Sequence, residues 1–158
     1  MNKLELRQTI LTLLQHKLAI AVSSAQRAME SATDEETVPE HKYDTLALEA
    51  SYLAHGQAMR VQECEEEIRQ MKELVLPDTP EKVVLGSLVT LLDLDEQPRL
   101  FFLAPCSGGL KVECGEESLM LVTFDSPLGK AMRSKQVGDE VEYSVGSFTH
   151  CYDIESIH

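Results

Sequence analysis

The chain has no tryptophan, and only four phenylalanines and four tyrosines among its 158 residues. A pocket walled by aromatic rings has little to be built from. Basic residues are also scarce: 14 Lys and Arg stand against 27 Asp and Glu, for a formal charge of −13. That balance opposes binding to a phosphate backbone through bulk electrostatics, so a link to nucleic acid has to run through a partner. The four cysteines, Cys64, Cys106, Cys114 and Cys151, are scattered and form no C-x-x-C pair. They read as reduced thiols, and Cys106, Cys114, His150 and Cys151 fit no standard zinc spacing. No apolar run approaches the ~18 residues of a membrane helix. The start, Met-Asn-Lys-Leu-Glu-Leu-Arg, lacks a signal-peptide pattern, which points to a cytoplasmic protein with no membrane partner. The histidines have no recognisable serine or cysteine partner motif, so no catalytic centre of the chain's own is expected.

What the chain has is heptad periodicity. Leu11, Leu14, Leu18, Ala21, Ala25 and Ala28 repeat at alternating spacings of three and four, a coiled-coil seam. A second seam runs through Leu46, Ala50, Leu53, Gln57, Val61, Cys64, Ile68, Met71 and Val75. Each segment comes out at about 30 residues, or roughly 45–50 Å. Equal lengths favour an antiparallel hairpin within one chain, and a monomer. Pro39 argues against one continuous helix, because it removes a backbone donor and clashes with the preceding turn. The tip of that hairpin, at about 31–42, is acidic: Asp34, Glu35, Glu36 and Glu40 stand where the chain has to reverse.

Residues 77–82, Pro-Asp-Thr-Pro-Glu-Lys, form a linker to a different texture. Val83–Leu94, Leu100–Leu103, Gly109–Cys114, Leu119–Phe124, Glu140–Val145 and Thr149–Ile157 read as short strands between polar turns. Ser126–Arg133 reads as a short helix, with Ser126 its cap, Pro127 in its first turn and Gly129 allowing close approach to the sheet. The expected fold class is α+β. A coiled-coil hairpin over 1–76 precedes an antiparallel sheet domain with a short helix over 83–158.

The stretch Asp125-Ser-Pro-Leu-Gly-Lys-Ala-Met-Arg-Ser-Lys-Gln-Val-Gly-Asp-Glu-Val-Glu-Tyr resembles the C-terminal motif of the bacterial GreA/GreB transcription elongation factors. Val84–Asp95 resembles the first strand of the same domain, and the order of parts matches along nearly the whole chain. The resemblance implies an FKBP-like C-terminal domain that docks at the rim of RNA polymerase's secondary channel. It gives a contact role to Asp125, Ser126, Pro127 and Leu128. Isomerase chemistry is not expected, because such pockets are lined with aromatics.

The resemblance further implies that the hairpin enters the channel and that tip carboxylates share the polymerase's Mg²⁺, a hard cation suited to carboxylates and water. The transcript of a backtracked complex is then cleaved by the polymerase itself, and the free factor holds no metal or cofactor. The family's tip string, Gly-Asp-x-x-Glu-Asn-x-Glu-Tyr, is not intact in this chain. Aligning Tyr43 with its tyrosine puts Glu36 at the aspartate position and Pro39, beside Glu40, at the glutamate position. Small gaps bring Asp34 or Glu35 into the role instead. Cleavage stimulation and channel occupancy without cleavage both fit this tip. A coiled-coil assembly or chaperone-like module predicts exposed apolar residues there, whereas Thr33–Glu40 is polar except for Val38.

Overall fold

The computed structural model describes residues 1–33 and 45–158; the expected tip acids Asp34, Glu35, Glu36 and Glu40 lie outside them. The elements are α1 (Lys3–Thr33), α2 (Thr45–Glu73), β1 (Leu88–Leu92), β2 (Pro98–Leu103), β3 (Lys111–Cys114), β4 (Glu117–Val122), α3 (Pro127–Met132), β5 (Glu140–Val145) and β6 (Phe148–Ile157). Among the described residues no helix is long and apolar enough to cross a membrane. The chain forms two compact units. One is Leu11–Arg69; the other joins Met1–Ile10 to Gln70–His158.

In the helical unit, Leu11, Leu14, Ala21, Ala25 and Ala28 are buried and Leu18 and Ala32 half-buried. On α2 the covered positions that continue the seam include Ala50, Ala54, Gln57, Val61, Cys64 and Ile68. From Leu14 up to Ala32 the spacing runs four, three, four, three, four, and from Ile68 down to Ala50 it runs the same way. Two helices matched in opposite directions present this pattern. Lys17 Nζ lies 3.2 Å from Glu67 Oε2 at the edge of the seam. Being partly exposed, that pair contributes less than about 1 kcal/mol.

Leu53, expected in the seam, is instead 57% exposed, and Ala54 takes its place. The reason is steric. Where α1 offers alanines, helices approach closely and a small residue that keeps the alternating spacing fits. Val75, a second seam residue found outside, lies past the end of α2 and is 79% exposed. The residue before a proline disfavours helical geometry, which ends the helix ahead of Pro77. Replacing Leu53 with alanine is therefore expected to change stability by no more than about 0.5 kcal/mol, as at an ordinary surface position. Ala25→Leu, which forces a larger side chain into the seam, costs about 1–3 kcal/mol. Urea unfolding followed by circular dichroism checks both, and a costly Leu53→Ala would restore the first reading of the seam.

The second unit is a six-stranded sheet in the order β3-β4-β2-β1-β6-β5. An antiparallel sheet was expected, and four of its neighbouring pairs are antiparallel. The exception is β2 with β4, which is parallel from Leu100↔Leu119 to Leu103↔Val122. The turn at Gly115 (φ 65°) makes β3 and β4 antiparallel, and because β4 rather than β3 lies beside β2, the β2–β4 pair runs parallel. Val89, Leu91, Phe101, Leu103, Val122, Val141 and Ile154 form the core, covered by Leu128 and Met132 of α3. Leu88 and Phe102, paired across β1 and β2, are buried as well, so these central strands are covered on both faces.

The base of α1 belongs to this unit. Lys3 Nζ donates to the carbonyls of Pro77 and, at 3.1 Å, Gly86. Arg7 donates to Leu74 O at 2.6 Å, meeting a carbonyl that the end of α2 leaves open. Burial lowers the Lys3 pKa, with Asp78 acting in the opposite sense.

Candidate partner-binding site at the start of α3

The segment Thr123–Gly129 is built around one carbonyl. Thr123 O accepts from Ser126 N at 3.2 Å and from Ser126 Oγ at 2.7 Å. The same Oγ accepts from Gly129 N at 3.0 Å, so Ser126 is the N-cap of α3 as its residue type suggests. Pro127 occupies the first turn, where its missing donor costs nothing. Lys130 N donates to Ser126 O at 2.9 Å and Arg133 N to Gly129 O at 3.1 Å, closing the short helix. The Arg133 guanidinium lies 5.2 Å from the centre of the Phe124 ring, a cation–π contact that fastens the far end of α3 to the loop before it.

Gly129 has to be glycine. A Cβ there would stand 1.9 Å from Thr123 O and 3.0 Å from Phe124 Cα. The expected close approach of α3 to the strand end is therefore real, and it is backbone against backbone.

The four residues expected at a partner surface divide sharply. Asp125 and Pro127 are exposed. Ser126 has its hydroxyl engaged as both donor and acceptor within the cap. Leu128 turns inward and is part of the core. What this site presents outward is the Asp125 carboxylate and the Pro127 ring, on either side of the capping Ser126, with the exposed Lys130 and Arg133 close by in sequence.

The second cluster of reactive side chains is on the outer strands. Among the described residues, Glu140, Glu142 and Cys151 place ligand-type atoms within 4.8 Å of one another. Cys106, Cys114, His150 and Cys151 do not come together in this way. Burial, then Glu142, Glu140 and Asp153, push the Cys151 thiol pKa up. A protonated thiol is a poor ligand and a poor nucleophile. Cys151 is thus expected to react with a maleimide more slowly than a free thiol at pH 8, and Glu142→Gln to speed it. A disulfide-exchange or maleimide time course measures both.

The sequence pattern ends a strand at Val145 as observed but leaves out Phe148, its exposed partner at the end of the β5–β6 hairpin. The last strand, expected from Thr149, begins at Phe148, which continues the same alternation.

A profile of the family described as Transcription elongation factor, GreA/GreB, C-term matches residues 77–158. The chain belongs to the GreA/GreB family. It is similar to the transcription elongation factor GreA of Novosphingobium aromaticivorans, with 32% identity over 78 residues, 49% of this chain and 45% of that one. A second similar protein is the GreA of Zymomonas mobilis, 33% identical over 82 residues, again 49% of this chain and 45% of the other. The chain spans about half the length of these two relatives. It also aligns with the crystal structure of GreA factor homolog 1 from Thermus thermophilus at 20% identity and a TM-score of 0.38, over 94% of each chain. The capped turn and the close glycine both fall inside the stretch that matches the GreA/GreB profile.

Proposed function

We propose that this chain is a transcription elongation factor of the GreA/GreB type that binds RNA polymerase at its secondary channel and acts on backtracked or paused complexes. The observation that carries the reading is the family match over 77–158, which includes the capped start of α3. Asp125 and Pro127 are the contact residues; Ser126 and Leu128 hold them in place by capping and by packing. The acids of the tip, Asp34, Glu35, Glu36 and Glu40, approach the polymerase Mg²⁺, and the factor is not itself an enzyme. With a charge of −13 it meets nucleic acid through the elongation complex only, in the cytoplasm and as a single chain.

Pull-down with bacterial core polymerase tests the reading. Retention at low micromolar protein is expected, with Asp125→Lys reducing it at least about tenfold, since reversing a contact charge introduces repulsion in place of attraction. No retention of the unaltered chain would sink it. A second reading, channel occupancy without cleavage, draws on one specific observation: the string Gly-Asp-x-x-Glu-Asn is absent between the helices.

A further inference from the structure

The β5–β6 hairpin overhangs the sheet. β5 is last in the strand order, and β6 is its one neighbour. β6 runs from Phe148 to Ile157, yet β1 pairs only with its portion from Asp153 onward. Beyond that, the pairs Tyr143↔His150, Ser144↔Thr149 and Val145↔Phe148 form a two-stranded ribbon of their own.

The phase of the ribbon decides which backbone groups face out. Gly146 has φ 62° and Ser147 does not share the positive region, a two-residue turn with glycine first. In such a hairpin the residues flanking the turn exchange both hydrogen bonds, and every second pair does so thereafter. Ile154 N donates to Asp139 O at 3.0 Å, in the same phase. The N–H and C=O groups of Glu140, Glu142 and Ser144 therefore point away from β6, along an edge that no other strand among the described residues occupies.

The two faces flanking that edge differ in chemistry. One carries Glu140 opposite Asp153 and Glu142 opposite Cys151. The other carries the Tyr143 and His150 rings stacked at 5.0 Å, then Val145 and Phe148, which are 54% and 72% exposed. Acids on an edge strand commonly protect it from pairing. Here the protection is selective. A second copy would set glutamate against glutamate, and like charges directly opposite are destabilising. A strand with basic residues on that face meets no such barrier, and its other face, beyond the buried Val141 and half-buried Tyr143, meets the exposed Val145 and Phe148.

We propose that the β5 edge accepts an extended segment of a partner polypeptide whose side chains alternate basic and apolar. The basic residues lie beside Glu140 and Glu142, the apolar ones beside Tyr143 and Val145, and the backbone joins the sheet as a seventh strand. This inference does not rest on the function proposed above.

The test compares two peptides of one composition, Ac-Lys-Val-Lys-Val-Lys-Val-NH2 and Ac-Lys-Lys-Lys-Val-Val-Val-NH2, titrated into the full chain at about 0.15 M salt, where long-range attraction is screened. The alternating peptide is expected to bind at least about tenfold more tightly. It also slows hydrogen exchange at the amides of Glu142 and Ser144. Ser144→Pro removes one outward donor at a position where an edge strand tolerates proline, and weakens binding at least about tenfold. The double variant Glu140→Lys with Glu142→Lys gives the same loss and serves where the proline variant fails to fold. Equal affinity for the two peptides, protection away from β5, or unaltered binding by the lysine variant would each overturn the proposal.

Discussion

Alanine at position 129 is expected to unfold the sheet unit at temperatures where the unaltered chain is intact. On helix propensity alone the change gains about 1 kcal/mol, since glycine is the poorer helix former. Sterics reverse the sign. The added Cβ would stand 1.9 Å from Thr123 O and 2.7 Å from Thr123 C. Neither is the end of a flexible side chain. Thr123 O is held by two donors from Ser126, so it cannot withdraw without dismantling the cap. α3 cannot lift away either, because Leu128 and Met132 are core residues. Overpacking that forces backbone to move costs about 3 kcal/mol or more. At ~4–8 °C per kcal/mol for a unit of this size, the melting temperature should fall by roughly 12 °C or more. Ser126→Ala, which loses the cap and adds no atom, should cost only about 1 kcal/mol. Thermal melts of the two variants side by side check the argument. An alanine variant at 129 that melts with the unaltered chain would show that α3 is free to shift.

The same residues show how far the sequence was readable. The spacing of leucines and alanines placed α1's seam correctly, because a heptad pattern reports burial directly. On α2 the pattern admitted both Leu53 and Ala54, and hydrophobicity favoured the wrong one. What decided it was the size of the residues across the seam, a property of two segments rather than one. Val83–Leu94 reads as a single apolar run, but the strand begins only at Leu88. Gly86, at φ 84°, turns the chain within that run, and a Cβ on it would meet Val75 O at 2.5 Å. Strand direction was less legible still. A parallel β2–β4 pair depends on which edge the β3–β4 hairpin occupies, and no local pattern encodes that. At the candidate site, capping chemistry identified Ser126, and its two hydrogen bonds agree. The spacing of Leu128, Ala131 and Met132 puts them on one face of the short helix, and that face packs on the core; the contact role that the resemblance gives Leu128 is what the spacing does not show.

Neutralising the tip is expected to separate docking from chemistry. In a variant with Asp34→Asn, Glu35→Gln, Glu36→Gln and Glu40→Gln, side-chain size is kept and the anionic oxygens are lost. Mg²⁺ is held by hard, charged oxygens and keeps several waters, so amides are weak substitutes. On the proposed function, 3′ cleavage in stalled, backtracked complexes should fall by about a hundredfold, the scale set by misplacing a catalytic group by 1 Å. Binding should survive, because Asp125 and Pro127 are untouched and their support by Ser126 and Leu128 lies entirely within the sheet unit. The single variants Glu36→Gln and Glu40→Gln then apportion the effect. The two family positions align with a longer carboxylate at Glu36 and with Pro39 beside Glu40, so Glu36→Gln should account for the greater part. If the unaltered chain binds yet leaves cleavage at the polymerase's own rate, the four acids have no metal role. The factor then acts by filling the channel, and lengthened pauses in place of shortened ones would be its signature.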